Sequence, residues 1–211
     1  FKNLLQSEIT LSEGINCFVG DNGAGKTNIL DAIYYLSMSK SAFTMTDGQS
    51  IKHGEDFFVL DGVYAADDNR SESVNCSFTR KTGKVLKRNG KEYERMSDHV
   101  GSFPVVIVSP QDTELITDAA EERRRYINAF ISQLDHQYMV ALMRYNAVLA
   151  ERNRFLKSSS DEQMLLIYDM QLSEHGTRVY ERRKEIVERM QPLVEEYYRL
   201  LSDDSERVEI D

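Results

Sequence analysis

The chain carries Gly20-Asp21-Asn22-Gly23-Ala24-Gly25-Lys26-Thr27, an octapeptide that fits the pattern G-x-x-x-x-G-K-[ST] of a phosphate-binding loop. Residues 15–19 before it are apolar and β-prone, and residues 28–36 after it place apolar side chains at helical spacing. The order strand, loop, helix is the context in which such a loop binds nucleotide phosphates. The pattern therefore predicts a nucleotide-binding site, and the flanking elements disfavour the alternative of a glycine-rich turn that only caps a helix.

The residue types in this loop suit ATP for physical reasons. The glycines let the backbone curl until successive N–H groups converge on one anion. Lys26 is expected to reach the β- and γ-phosphates, and the Thr27 hydroxyl is expected to bind Mg²⁺. The predicted ATP-binding set is Gly20, Asp21, Asn22, Gly23, Ala24, Gly25, Lys26, Thr27 and Asn28.

Composition limits the possible partners. The 211 residues have a formal net charge of -9, which argues against a uniformly basic surface, so any DNA binding must use a local patch.

Cys17 and Cys76 are the two cysteines, which indicates a reducing, cytoplasmic location without a disulfide framework or zinc site. No run is long and apolar enough to predict a membrane span. Because the chain begins at Phe1, we interpret it as a fragment.

The remaining pattern predicts an α/β fold with two lobes. Residues 57–64 and 73–79 alternate like strands, and turn residues at 67–71, 82–83 and 89–90 predict an antiparallel meander. Residues 103–109 are the most apolar run and predict a buried central strand. From residue 121 the period is helical, with breaks at 135–137 and 158–162 and a kink or restart expected at Pro192. The predicted boundaries are an ATP-binding lobe at 1–112, a helical lobe at 113–205 and the start of another strand at 206–211.

Three groups of basic residues are candidates for contact with DNA phosphates. Residues 80–91 form the densest basic run, residues 123–125 are three consecutive arginines, and residues 144–157 give a helix a basic end. For each group the alternative is a solvated or self-paired surface, and for the first it is also protection of a sheet edge. The predicted DNA-binding residues are Lys84, Lys87, Arg88, Arg123, Arg124 and Arg152.

With these residues in view, the chain resembles the RecF family of bacterial recombination mediators, ABC-type ATPases related to SMC heads. The resemblance lies in residues 14–28, with Asn28 after the loop threonine, and in residues 106–112, 123–128, 145–154 and 169–176. It implies a P-loop ABC-type ATPase head followed by an α-helical lobe. It also implies ATP and Mg²⁺ as cofactors, an ATP-dependent homodimer, and roles in DNA replication, recombination and repair and in the SOS response to DNA damage.

The same resemblance implies the partners and the limits of the activity. The expected partners are gapped or junction DNA, RecR, RecO and, through loading, RecA, with no membrane. In this family the signature motif and the Walker B carboxylates lie C-terminally, so we expect weak ATPase activity in the full-length dimer and none in this chain alone. Two positions depart from the family pattern: Gln111 stands in Pro-Gln-Asp where Pro-Glu-Asp is usual, and Thr44 stands where an arginine is expected.

Gln111 is the candidate catalytic residue. In ABC-type ATPases a glutamine at the end of a central strand touches Mg²⁺ and the attacking water, and Gln111 follows the apolar run at 103–109. The alternative is an ordinary turn residue after Pro110. Asp112 is interpreted instead as a cap.

Other functional classes remain open. An SMC-like DNA-organising head would require a very long coiled coil, which the helix breaks at Asp135 and Ser158 disfavour. A transporter ATP-binding subunit would carry its signature motif sooner after Gln111 than the long helical segment permits. A third alternative is a DNA clamp that binds ATP without appreciable turnover. Steady-state hydrolysis by the full-length protein would distinguish it from an active ATPase.

Overall fold

The structure is a computed structural model that describes residues 1–65, 70–113, 120–159, 161–203 and 205–210. The chain divides into two compact units, Phe1–Thr113 and Glu114–Asp211. Within the described ranges, the first unit holds one α-helix and a four-stranded sheet, and the second holds three α-helices. Among these helices none is both long and apolar enough to cross a membrane.

The sheet of the first unit is an antiparallel meander, which confirms the prediction from alternation and turn residues. Its strands are β1 (Phe57–Ala65), β2 (Ser71–Thr79), β3 (Gly83–Arg88) and β4 (Lys91–Glu92), each paired with the next in this spatial order. Gly83, Asn89 and Gly90 have positive φ at the two predicted tight turns, as hairpin turns require. The predicted turn at 67–71 lies mostly outside the described residues.

One face of the meander packs against helix α1 (Lys26–Met38). Because side chains alternate across a strand, each strand contributes every second residue to this face. The buried core consists of Tyr35, Leu36, Ile51, Phe58, Val74, Cys76 and Leu86. Burial raises the pKa of the Cys76 thiol to about 12, so this thiol is protonated and unreactive at neutral pH. Between α1 and β1, Asp47–Ser50 form a single 3-10 turn.

His99 joins the C-terminal end of α1 to the residues that follow the sheet. Its side chain is fully buried; Nε2 lies 2.6 Å from the Leu36 carbonyl oxygen and Nδ1 lies 3.2 Å from the Tyr93 hydroxyl. A carbonyl oxygen can only accept, so Nε2 carries the hydrogen and Nδ1 accepts from Tyr93. Burial holds the pKa of His99 below its ordinary value; the hydrogen bond to Leu36 opposes this, and the positive charge of Arg88 adds a smaller lowering.

We expect the first unit to lose stability as the pH is lowered below about 6.5, the ordinary histidine pKa. The unfolded chain then binds more protons than the folded chain, so the stability present above this pH is lost as the pH falls through the folded pKa. His99→Gln keeps an N–H donor for Leu36 and should remove most of the dependence. Urea denaturation from about pH 7.5 to about pH 5 measures this, and equal slopes for both proteins would contradict it.

Two of the predicted strands are absent. Residues 15–19 and residues 103–109, the latter predicted to be a buried central strand, have no sheet partner among the described residues. Val19 is 93% exposed and Val108 is 82% exposed. Both predictions were wrong because a strand forms only where a neighbour takes up its backbone hydrogen bonds, and an apolar run does not specify that neighbour.

The second unit consists, in its described residues, of α2 (Ala120–Leu134), α3 (His136–Phe155) and α4 (Glu162–Ser202). Asp135 caps α3, because its carboxylate accepts a hydrogen bond from the Tyr138 N–H at 3.0 Å. Asp161 caps α4 by accepting from the Gln163 N–H at 2.9 Å. These bonds satisfy N–H groups that lack an intrahelical partner, and they confirm both helix breaks.

The longest helix, α4, continues through Pro192, so the helix does not restart there, and the other predicted outcome, a kink, stays a prediction. Proline lacks the N–H that would join it to the preceding turn, but the turns on either side keep their own bonds.

Nearer the middle of α4, a Cβ added at Gly176 would lie 3.2 Å from Tyr145 Cε2. Glycine at this position lets α3 and α4 approach closely.

A polar network crosses the three helices of the second unit next to its apolar core of Ile131, Tyr138, Ala141, Val179 and Ile186. The Tyr138 hydroxyl donates to Asn128 Oδ1 at 2.5 Å, and Arg183 Nη2 donates to the same oxygen at 2.7 Å. Burial raises the pKa of Tyr138, and the neighbouring guanidinium opposes this. One side chain from each helix therefore meets at Asn128, which belongs to the Arg-rich element at 123–128.

The segment after α4 is irregular. Residues 205–210, which include most of the predicted strand start at 206–211, have no regular secondary structure, and Asp211 lies outside the described residues. The Gln191 side chain holds this segment against α4 by accepting from the Ile210 N–H and donating to the Val208 carbonyl, both at 2.9 Å.

Candidate nucleotide-binding site

The predicted phosphate-binding loop is a turn that closes onto the N-terminus of α1. The Ala24 N–H donates to the Asp21 carbonyl at 3.2 Å, and the helix begins at Lys26. Gly20, Gly23 and Gly25 have φ values of 153°, 84° and 100°. Side chains with a Cβ rarely adopt this region, so the glycine spacing follows from the curl of the loop.

Gly25 is also the point at which the N-terminal residues touch the loop. It is buried, and a Cβ on it would lie 2.7 Å from Leu4 Cδ2 and 2.9 Å from Asn3 Oδ1. Real Cβ atoms do not come this close to other heavy atoms. A Cβ at Gly25 would therefore displace the Leu4 and Asn3 side chains, and the positive φ independently favours glycine at this position.

Lys26 places a positive charge at the mouth of the loop. Its Nζ donates to the Gly20 carbonyl and to the Asp21 carbonyl, both at 2.7 Å. An ammonium group has three N–H donors. Two of them hold the start of the loop, and one remains for an acceptor outside it.

The first turn of α1 suits a bound anion. Its N-cap, Gly25, supplies no side-chain acceptor, and no acidic residue occurs in the first turn. N–H groups at a helix N-terminus lack intrahelical partners and attract negative charge. Residues 20–24 and Thr27 are exposed, and Asn28 is partly buried. The residues present therefore fit a phosphate group.

Gln111 lies in a single 3-10 turn, Pro110–Thr113. Next to it, the Asp112 carboxylate accepts a hydrogen bond from the Ser109 N–H at 2.6 Å, so Asp112 stabilises this turn. The side chain of Gln111 lies outside what the structure describes, and its contact with Mg²⁺ and water stays a prediction.

Two basic residues predicted to contact DNA are engaged inside the first unit. Lys84 Nζ donates to the Ser39 carbonyl at 2.6 Å and to Asp47 Oδ1 at 3.0 Å. Arg88 pairs with Glu72 through two hydrogen bonds, one of them 2.6 Å from Nη2 to Oε1. These bonds hold the pKa of Glu72 below its ordinary value. Contact of either residue with DNA stays a prediction.

The other four DNA candidates differ in exposure and in pairing. Lys87, on the sheet face opposite α1, and the exposed Arg124 have no ion-pair partner among the described residues. Arg123 is exposed but interacts with another group, and Arg152 Nε lies 2.6 Å from Asp169 Oδ1. Three of the six candidates belong to the first unit and three to the second.

Sequence reasoning missed a buried ion pair behind the loop. The carboxylate of Asp31 is fully buried, lies 2.5 Å from Lys2 Nζ, and accepts hydrogen bonds from Ser41 Oγ and the Ala42 N–H, both at 2.7 Å. The sequence contained a signal for this ion pair, because Asp31 lies four residues before the core residue Tyr35 on the same helix face. A charged residue on an apolar face indicates a buried partner.

This architecture defines a P-loop nucleotide-binding head: a glycine-rich loop on the N-terminus of a helix, packed against an antiparallel sheet and followed in sequence by a helical unit. The family model described as an AAA domain matches residues 1–211, and the chain belongs to this family.

Its relatives include DNA replication and repair proteins named RecF. The RecF of Bacteroides thetaiotaomicron is 45% identical over 210 residues, which cover 99% of this chain and 57% of the relative. The RecF of Phocaeicola vulgatus is 44% identical over 212 residues, which cover 100% and 57%. The chain thus spans less than two thirds of the length of these relatives. The resemblance to RecF inferred from the motifs is confirmed.

A solved structure supports the same relationship. The structure of the recombination mediator protein RecF with ATP in the RecFOR pathway matches with a TM-score of 0.91 and 31% identity, over 96% of this chain and 56% of that one. The predicted fold class, an α/β ATPase head with an antiparallel meander and helices, is confirmed by this match.

Proposed function

We propose that this chain is the ATP-binding part of a RecF-type DNA replication and repair protein. In the full-length protein, ATP binding joins two heads into a homodimer that holds gapped or junction DNA and supports RecA loading. One observation carries the proposal: the loop at residues 20–27 is seated on an uncapped helix N-terminus, in a chain similar to a RecF structure that contains ATP.

The residues of the loop have separate tasks in this proposal. The backbone N–H groups at the start of α1 bind phosphate oxygens, and Lys26 directs its third N–H to the outer phosphates. Thr27 and Gln111 would hold Mg²⁺, which neutralises phosphate charge when it is bound with ATP. Gln111 would also orient the attacking water.

Turnover belongs to the full-length dimer in this proposal, and it is weak. Each head supplies a phosphate-binding loop to one nucleotide and a signature motif to the other, and the RecF resemblance places the signature motif outside residues 1–211. ATP binding then allows the dimer to hold DNA, and hydrolysis releases the DNA. The partners are RecR and RecO by resemblance, in the cytoplasm.

DNA contact depends on local charge, because the chain is acidic as a whole. Lys87 and Arg124 are the best supported contacts, since neither has an ion-pair partner among the described residues. Arg123 and Arg152 are weaker candidates because both already interact within the chain. Lys84 and Arg88 would have to leave Asp47 and Glu72 to bind a phosphate.

Equilibrium binding of the full-length protein to a gapped duplex tests this function. We expect binding at least about tenfold tighter with Mg²⁺-ATP than with Mg²⁺-ADP or no nucleotide, because only ATP joins two DNA-binding surfaces. Sedimentation should show a dimer with ATP alone. DNA affinity indifferent to nucleotide would overturn the proposal, and ATP-dependent binding without steady-state hydrolysis would favour a non-hydrolysing clamp.

The same assay separates DNA contacts from other surface charges. Arg124→Met should weaken binding about threefold and lower the slope of log affinity against log salt by about one, as the loss of one phosphate contact predicts. Lys184→Met is the matched control on an exposed helix face, where Lys184 lies 3.9 Å from Glu188, and it should change neither quantity.

A further inference from the structure

We infer that Asn3 is a positioning residue for the phosphate-binding loop. Its side-chain amide ties the middle of the loop to the first turn of α1 and so holds the loop in the shape that receives a phosphate. This inference rests on the nucleotide-binding function proposed above. It concerns a residue that lies seventeen positions before the loop motif and that the motif does not include.

Both polar atoms of the Asn3 side-chain amide form hydrogen bonds. Nδ2 donates to the Gly23 carbonyl at 2.7 Å, and Oδ1 accepts from Asn28 Nδ2 at 2.7 Å. Gly23 has a φ of 84° within the loop, and Asn28 lies in the first turn of α1. One planar group therefore bridges the most adaptable part of the loop and the start of the helix.

Asn3 is itself held by the core of the first unit. The Lys2 N–H donates to the Ser50 carbonyl at 2.8 Å. The Phe1 ring makes edge-on contacts with Tyr35 and Phe58, with ring centroids 5.8 and 5.1 Å apart. The position of the Asn3 side chain is thus set by residues outside the loop, which allows it to act as a fixed support.

The hydrogen bond to Gly23 fixes the orientation of one peptide group in the middle of the loop. The carbonyl of Gly23 and the N–H of Ala24 belong to one planar peptide group and point in opposite directions. Holding the carbonyl toward Asn3 keeps the Ala24 N–H on the opposite side, where it donates to the Asp21 carbonyl at 3.2 Å and closes the turn of the loop. Without this bond, Gly23 regains the conformational freedom of glycine, and the loop must be ordered when the phosphate binds.

The test compares Asn3 variants of the full-length protein by Mg²⁺-ATP titration and by hydrogen exchange of residues 20–28 without nucleotide. Asn3→Ala removes both hydrogen bonds, and we expect about tenfold weaker ATP binding. Exchange in this peptide should be faster, while the urea midpoint of the first unit changes little. Asn3→Asp has nearly the same volume and still accepts from Asn28, but it cannot donate to Gly23, so exchange should again be faster. Because its negative charge also repels phosphate, exchange without nucleotide is the deciding readout for this variant.

Asn75→Ala is the matched control. The Asn75 amide donates to Asp61 at 2.6 Å on the sheet face opposite α1, so its removal should alter neither ATP binding nor exchange in the loop. Unchanged ATP affinity and unchanged exchange in both Asn3 variants would overturn the inference. If Asn3→Ala fails to fold, Asn3→Asp decides the question by hydrogen exchange of residues 20–28 without nucleotide.

The two hypotheses fail in different ways. If the wild-type protein binds no ATP, the proposed function fails, while hydrogen exchange without nucleotide still reports whether Asn3 orders the loop. If the wild type binds ATP and Lys26→Met does not, the function holds, and unaltered Asn3 variants then refute the positioning role alone.

Discussion

Replacing Lys26 by methionine is expected to weaken Mg²⁺-ATP binding by about a hundredfold or more, the largest functional effect of any single substitution in this chain. The ammonium donates to the carbonyls of Gly20 and Asp21, which leaves its third N–H for a phosphate oxygen. Loss of a charged donor to a phosphate removes about 3 kcal/mol, and each 1.4 kcal/mol corresponds to about tenfold in affinity. Titration with Mg²⁺-ATP measures the effect directly.

Lys81→Met is the matched control for this substitution. Lys81 lies exposed in the turn between β2 and β3, so the same change of side chain there should leave ATP affinity within about twofold of the wild type. DNA binding by the Lys26 variant should lose its response to ATP. Equal ATP affinity of the Lys26 variant and the wild type would show that the loop does not bind nucleotide through this residue.

Replacing Lys2 by methionine is expected to lower the free energy of unfolding of the first unit by about 3 kcal/mol. The Lys2 ammonium is 2.5 Å from the fully buried Asp31 carboxylate, and only 13% of the Lys2 side chain is exposed. Methionine fills a similar volume, but it leaves a buried negative charge whose described partners are the Ser41 hydroxyl and the Ala42 N–H. An uncompensated buried charge is costly, whatever the net value of the pair.

The double variant Lys2→Met/Asp31→Asn distinguishes lost charge compensation from lost packing. The asparagine oxygen can still accept from Ser41 or the Ala42 N–H, and no net charge stays buried, so the double variant should be more stable than Lys2→Met alone by about 1 kcal/mol or more. Urea denaturation, with hydrogen exchange of residues 26–51, provides the measurement. If Asp31→Asn gives no recovery, the loss in Lys2→Met comes from packing.

Local patterns in the sequence were enough for the phosphate-binding loop, the meander and the helix breaks. The glycines at 20, 23 and 25 are required by backbone conformations within the loop itself, and Asp135 and Asp161 cap helices that begin at the next residue. Each of these signals concerns residues within a few positions of one another. Such interactions are nearly independent of the rest of the fold, which is why they can be predicted from the sequence.

Strand pairing between segments distant in the sequence was beyond such patterns. Residues 103–109 have the apolar character of a buried strand, yet Val106 is 67% exposed and Val108 is 82% exposed. Propensity describes a residue's fit to a pleated surface, whereas pairing and burial depend on a distant segment being available as a neighbour. Whether a basic residue is already bonded within the chain also depends on distant residues. Lys84, for example, donates to the Ser39 carbonyl, which lies 45 positions away in the sequence.

The sequence by itself determined that this chain has a glycine-rich loop able to receive phosphate, an antiparallel meander and a set of capped helices. Only the tertiary structure decided what surrounds the loop: Asn3 bonded to Gly23 and Asn28, and Lys2 paired with the buried Asp31. The physical reason is distance along the chain. Motif chemistry arises between adjacent residues, but the support of the loop comes from side chains that the fold brings together from 20 to 29 positions apart.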